Sequence, residues 1–193
     1  MALRIVCSGY LIRYPLGGFS WHHLQYLLGL RAMGHKVTYV EHFGWPNSCY
    51  DPSSNQQTST PQYGLRYFTQ MLDSVGFRGD WCFLSEDGDA HGMPRQNLAD
   101  ACAECDVYFN LSNMNWIPEF ELCRRRILVD TDPAFTQIGF GMGGPFSRYQ
   151  RLFTCWHFGY CTDRFIGCVH GYIFWYIKRS TGLYCKRYLF KVR

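Results

Sequence analysis

The stretch LRIVCSGYLIRYPLGGFSWHHLQYLLGLRAMGHKVTYVE, residues 3–41, changes its apolar period twice, and those changes decide the fold. Leu3–Ser8 is a short continuous apolar run, the pattern of a buried strand. A loop from Gly9 to Ser20 follows, holding Pro15, Gly17 and Gly18. From Trp21 the residues Leu24, Leu27, Leu28 and the run Leu30-Arg31-Ala32 fit a helix face, with Ser20 placed as N-cap and Gly34 just past the end. Lys36–Glu41 is β-branched and strand-like. Strand, glycine loop, helix and strand make a βαβ unit, whose crossover is right-handed and whose strands are parallel.

Working outward, residues 52–62 are polar and lack a hydrophobic anchor, which predicts a mobile surface loop. A helix is expected over Tyr63–Val75, with Leu65, Phe68, Met71 and Leu72 on one side and Gly76 as its stop. A short strand is read at Trp81–Leu84, a helix at Arg95–Cys105, and strands at Asp106–Asn110 and Arg126–Asp130. An irregular or helical piece, Trp116–Leu122, separates the last two. Strands alternating with helices imply an α/β domain, an open parallel sheet flanked by helices of Rossmann-like type.

This domain is read as residues 1–150, and residues 151–193 as a basic, aromatic tail. The chain has 193 residues, 47% hydrophobic and 18% charged, enough to bury a core and unlike a disordered composition. Its net charge of +4 is unevenly spread. Residues 1–150 carry 11 basic and 14 acidic side chains, whereas residues 151–193 carry 8 basic ones and a single acid, Asp163. Twelve aromatic residues crowd that tail without a period of 2 or 3.6. The leading apolar run is too short for a signal peptide, and no stretch reaches the roughly 18 apolar residues of a membrane span. The expectation is a cytoplasmic protein whose ten scattered cysteines are reduced thiols.

Ligands of open parallel sheets bind beyond the carboxyl ends of the strands, which sorts the polar residues. Strand one delivers Gly17, Gly18, Ser20, Trp21, His22 and His23. Strand two delivers Glu41, His42 and Trp45, and later strands deliver Asn110 with Ser112 and Asp130 with Asp132. Gly17-Gly18 before a helix lets backbone N–H groups approach an anion, or simply turns tightly. Neither G-x-G-x-x-G nor G-x-x-x-x-G-K-[ST] is present, which weighs against a nicotinamide cofactor or an ATPase. Adjacent on a helix, His22 and His23 point about 100° apart, so at most one faces a cleft, where an imidazole suits proton abstraction. Otherwise they are capping or buried rings. Asp132 stands at a strand end, where a carboxylate binds hydroxyls or serves as a base; Asp130 reads as turn chemistry. Cys102-Ala-Glu-Cys105 lacks a second correctly spaced pair, so small buried thiols are preferred to a zinc site, and no metal or cofactor is expected. The basic tail lacks the motifs of nucleic-acid binding, and its contact with a membrane surface is a minor alternative.

The run from Gly17 to Glu41, with L-x-x-L-x-x-x-G-H in its helix, resembles the first βαβ unit of bacterial glycosyltransferases of the twin-Rossmann, B-type fold. CDVYFNLS at 105–112 and RRILVDTDPAFTQ at 125–137 resemble later strands of the same acceptor-side domain. The resemblance implies sugar transfer from a nucleotide-sugar donor to a hydroxyl acceptor held by this domain. It implies His22 or Asp132 as the group deprotonating the acceptor, and a second domain holding the donor. The elements of that donor domain are not found, and the likeness stops near residue 153. The expectation is therefore a truncated or frameshifted chain, inactive alone. The alternative is a non-catalytic α/β domain that binds a carbohydrate or a protein.

Overall fold

The computed structural model describes residues 2–130 and, beyond them, seven short strands between Thr154 and Lys191. The chain divides into two compact units, Met1–Leu128 and Val129–Arg193. In the second, Gly159–Cys161 pairs antiparallel with Arg164–Ile166, Ile177–Arg179 with Gly182–Tyr184, and Tyr172–Ile173 with Phe190–Lys191. The expected looseness of the tail concerns side chains outside the described residues.

In the first unit the order is β1 (Arg4–Ser8), α1 (Gly17–Ala32), β2 (Lys36–His42), β3 (Cys49–Asp51), β4 (Gln56–Thr58), α2 (Gln62–Ser74) and β5 (Trp81–Leu84). Then come β6 (Ala90–Gly92), α3 (Arg95–Glu104), β7 (Val107–Leu111), a 3-10 turn over Pro118–Leu122, and β8 (Arg126–Asp130), whose last two residues fall in the second unit. The sheet runs β6-β5-β2-β1-β7-β8. β1 is parallel to both β2 and β7, and β2 is parallel to β5. The sheet is mixed rather than wholly parallel, because β6 folds back on β5 as an antiparallel edge. A left-handed Gly88 at φ +90° lies in the connection that reverses the chain there. Without β6 the order is that of a Rossmann-like fold, with strand order turning back at β1.

Register shows how both faces are covered. Cys7, Tyr39 and Trp81 are aligned on one face, where Phe68 of α2 packs 5.3 Å from the Tyr39 ring and 5.2 Å from Trp81. Val6, Thr38 and Tyr108 are aligned on the other, where Phe120 of the 3-10 turn stacks on Tyr108 at 4.1 Å. Gly64 lets α2 approach closely, since a Cβ there would strike the Ile12 carbonyl.

Two local expectations need correction. α1 starts one turn earlier than read, at Gly17, with Leu16 as N-cap and no side-chain cap; Ser20 lies inside the helix and is buried. The loop behind it is held rigidly enough to start the helix without a capping side chain, as described below. The polar stretch 52–62 is not one loop. Gln56–Thr58 pairs with Cys49–Asp51 in a hairpin closed by Asp51, which accepts from the Ser53 N–H at 2.8 Å, and by left-handed Asn55. Polar residues suffice because an exposed two-strand ribbon needs turn chemistry more than a buried face. The helix end at Gly34, φ +87°, is as read.

Candidate functional site

The carboxyl ends of β1, β2 and β7 meet where the strand order reverses, the place where such sheets bind ligands. The residue that organises this edge is Glu41, at the end of β2 and fully buried. Its Oε2 accepts the backbone N–H groups of Leu11 and Ile12, both at 2.9 Å, and its Oε1 accepts that of Arg13 at 2.8 Å. The Tyr39 hydroxyl donates to the same carboxylate, and the Arg13 Nε lies 3.3 Å from it. Three successive backbone donors of the first strand-to-helix loop therefore close on the protein's own anion. In a dinucleotide-binding fold those donors face a pyrophosphate; here they are spent on shaping the loop. Burial, then the adjacent Glu41 charge, push the Tyr39 hydroxyl well above its ordinary pKa, so it stays a donor.

Arg13, also fully buried, ties this loop to the segment after β7. Its Nη2 donates to the Met114 carbonyl at 3.0 Å and approaches Asn115 Oδ1 at 3.4 Å. Its guanidinium sits 4.5 Å from the centre of the Tyr10 ring and 5.5 Å from that of Trp45, while its Nη1 has no partner among the described residues. Gly44, at φ +80°, leaves room for that nitrogen; a Cβ would strike it.

Asn115 is the second knot. It donates to the Gly9 carbonyl at 2.9 Å and accepts from the His42 N–H at 3.1 Å, while its own carbonyl accepts from Asn110 Nδ2 at 3.1 Å. Ser8, Tyr108 and Asn110 extend the network beneath it. Both His42 ring nitrogens face backbone N–H groups, those of Gly44 at 2.9 Å and Trp116 at 2.7 Å. An imidazolium has no acceptor, so the ring is neutral and accepts at one nitrogen at a time. Burial moves its pKa the same way, down to about 4.

Each residue singled out from sequence has a definite place. Gly17 and Gly18 are exposed in the first turn of α1, with open space where a Cβ would point. Trp21 is 60% exposed, whereas Ser20 is buried with its Oγ unpartnered among the described residues. His22 is half-buried, its Nε2 buried and unpartnered among the described residues, and its pKa lowered by burial. His23 is fully enclosed: Nδ1 faces the Phe19 carbonyl at 3.0 Å, which assigns it the proton, and Nε2 accepts from the Ser112 hydroxyl at 3.2 Å. Burial lowers the His23 pKa to about 4. Gly9 admits this ring, since its Cβ would collide with it. Ser112 and Asn113 both have positive φ, 65° and 58°, a rare pairing that turns the chain sharply after β7. Glu41 and Asn110 lie at this edge but inside the protein. Asp130 ends β8, with its side chain outside the described residues, as is the whole of Asp132.

Sequence reading brings His42 and Trp45 to this edge with Glu41 but does not find Arg13, Asn115 or Tyr10. Arg13 sits within a loop of large apolar residues, and an arginine there has to be paired inside or the loop cannot be buried; that was the available signal. Asn115 carried none, because its role depends on contacts from three strands.

Rings of Tyr10, Tyr14, Tyr50 and Phe19 adjoin one another on this side, with Tyr14 stacked on Tyr50 at 6.3 Å and Tyr10 edge-on to Phe19 at 5.6 Å. Phe19 and Trp45 are 43% and 45% exposed. Among the described residues no group of His, Cys, Asp and Glu is arranged to hold a metal ion, and no helix is long and apolar enough to cross a membrane. Comparison with protein-family models, curated proteins and solved structures gives no match.

Proposed function

We propose that this α/β unit holds a hydroxyl-bearing acceptor at the carboxyl edge of its sheet, as the acceptor side of a glycosyltransferase. The donor, a nucleotide sugar, is bound by a second domain of the same type. The observation that carries the reading is the division of labour at the first strand-to-helix loop. Residues 11–13 are locked by Glu41, while the next stretch, Gly17 and Gly18 with Phe19 and Trp21, is exposed and borders the half-buried His22. A rigid loop that spends its anion-binding donors internally does not suit a diphosphate. A surface of exposed rings beside a few polar groups suits a sugar or another polyhydroxylated acceptor, whose apolar faces stack on rings and whose hydroxyls find the polar groups. In this reading His22, its pKa lowered by burial, accepts the proton of the acceptor hydroxyl after its ring turns outward, since its Nε2 is buried and has no protein partner among the described residues.

Calorimetric titration tests it, with alkyl glycosides in one arm and nucleoside diphosphate sugars in the other, followed by an assay for nucleoside diphosphate release with a donor-binding domain supplied. Glycoside binding weakened at least tenfold by Phe19→Ala, and turnover lost in His22→Ala with binding kept, are expected. Binding of the nucleotide sugar alone, with no glycoside binding, would contradict the acceptor assignment. The second reading, a non-catalytic carbohydrate- or protein-binding domain, is favoured by one fact: His23, Glu41 and Asn110 are all enclosed and hydrogen-bonded. Glycoside binding without turnover in any pairing would select it.

A further inference from the structure

The opposite, amino edge of the sheet gathers cysteines that the acceptor reading does not use. Cys102 and Cys105 close α3, Cys123 ends the 3-10 turn, and all three are buried. Cys105 precedes β7 and Cys123 precedes β8, two strands that are neighbours in the sheet and joined there by the Tyr108 N–H to the Arg125 carbonyl at 2.8 Å. Adjacent strands lie about 4.8 Å apart, inside the roughly 4.4–6.8 Å between Cα atoms that a disulfide spans. In a parallel pair the bond from Tyr108 to Arg125 sets Tyr108 beside Arg126, and since Cys105 and Cys123 both have extended backbone, the same register carried back three residues sets Cys105 beside Cys123.

We propose that Cys105 and Cys123 are a reversible dithiol–disulfide pair, oxidised by exchange with a small-molecule disulfide. The two thiols differ in acidity, and the more acidic one attacks. The Cys105 thiol is pulled below its ordinary pKa, chiefly by the hydrogen bond from Cys123, whereas Cys123 is pushed up by its hydrogen bonds with Cys102 and Cys105. Cys105 loses its proton to solvent and attacks one sulfur of the small disulfide, whose S–S bond breaks and releases a thiolate. Cys123 then loses its proton and attacks the Cys105 sulfur, forming the internal bond and expelling the second thiolate; solvent protonates both products. Two protein thiols are oxidised and one disulfide is reduced to two thiols. Because both sulfurs are buried, exchange follows local opening of the contact between α3 and the 3-10 turn. The bond staples the amino ends of β7 and β8, away from the carboxyl edge.

The test is incubation of the full chain with oxidised glutathione, trapping of remaining thiols by alkylation, and non-reducing peptide mapping by mass spectrometry. The expected product is a Cys105–Cys123 cross-linked peptide, lighter by two hydrogens and reopened by dithiothreitol. Cys123→Ser is expected to stop at a glutathione adduct on Cys105, and Cys102→Ala to leave the cross-link intact. A bond between Cys102 and either partner, or no bond in the folded wild-type chain, overturns the proposal. The wild-type map decides the matter even where a variant fails to fold.

Discussion

Replacing Glu41 by glutamine perturbs one atom and reaches the whole binding edge. The carboxylate accepts three backbone N–H groups, the Tyr39 hydroxyl and the Arg13 Nε, all in a fully buried setting. An amide keeps one acceptor oxygen. Set at the Oε2 position, it retains Leu11, Ile12 and Tyr39, and its NH2 then confronts the Arg13 N–H and Nε–H, donor against donor. The Arg13 charge is left without its counter-ion at zero exposure. Breaking a buried pair from one side costs about 3–5 kcal/mol, because the surviving charge stays buried. Against a total stability of about 5–15 kcal/mol this is a large loss, with a fall of about 6–20 °C in melting temperature for a chain of this size. Urea unfolding followed by circular dichroism measures it. Arg13→Met combined with Glu41→Leu is expected to cost less than Glu41→Gln alone, since it removes both charges. A loss below about 1 kcal/mol for the single variant, at unchanged urea slope, would refute the claim that Glu41 holds the loop.

Three other outcomes follow from the same geometry. His23 and His42 are held neutral, with folded pKa values of about 4 below an unfolded value of about 6.5. The unfolded chain therefore binds more protons between those limits, so stability is full above about pH 6.5 and is lost as pH falls toward 4, by on the order of 3 kcal/mol per ring; the pH dependence of urea unfolding checks this, and His23→Gln should flatten it. Gly9→Ala drives a methyl into the His23 ring and is expected to cost about 1–3 kcal/mol in the same assay, whereas Gly17→Ala, facing open space, should leave stability unchanged or raised. Trp21→Ser, at an exposed position, should alter stability by less than about 0.5 kcal/mol while weakening glycoside binding in calorimetry.

Much of the architecture was legible because local period and packing agree. Trp81–Leu84 and Arg126–Asp130 are strands with the bounds read from sequence, and α2 lies within one residue of its expected span. The start of α1 was misplaced because Ser20 is a strong cap on paper, while the actual start depends on a loop pinned by a carboxylate from the neighbouring strand. The hairpin at 49–58 was missed because its residues carry turn chemistry and no buried face. At the candidate site, sequence order could bring His23, Glu41 and Asn110 to the right edge, since strand ends set that. It could not show that they turn inward, because their partners, Ser112, Arg13 and Asn115, lie far along the chain.

The most direct test of the acceptor assignment is a titration of the isotope-labelled chain with alkyl glycosides, followed by backbone amide chemical shifts in NMR. The account predicts saturable shifts at Gly17, Gly18, Phe19, Trp21, His22 and Trp45, with Cys105 and Cys123 at the amino edge unmoved. Shifts centred on the amino edge, or none at glycoside concentrations that saturate ordinary sugar-binding domains, would contradict it.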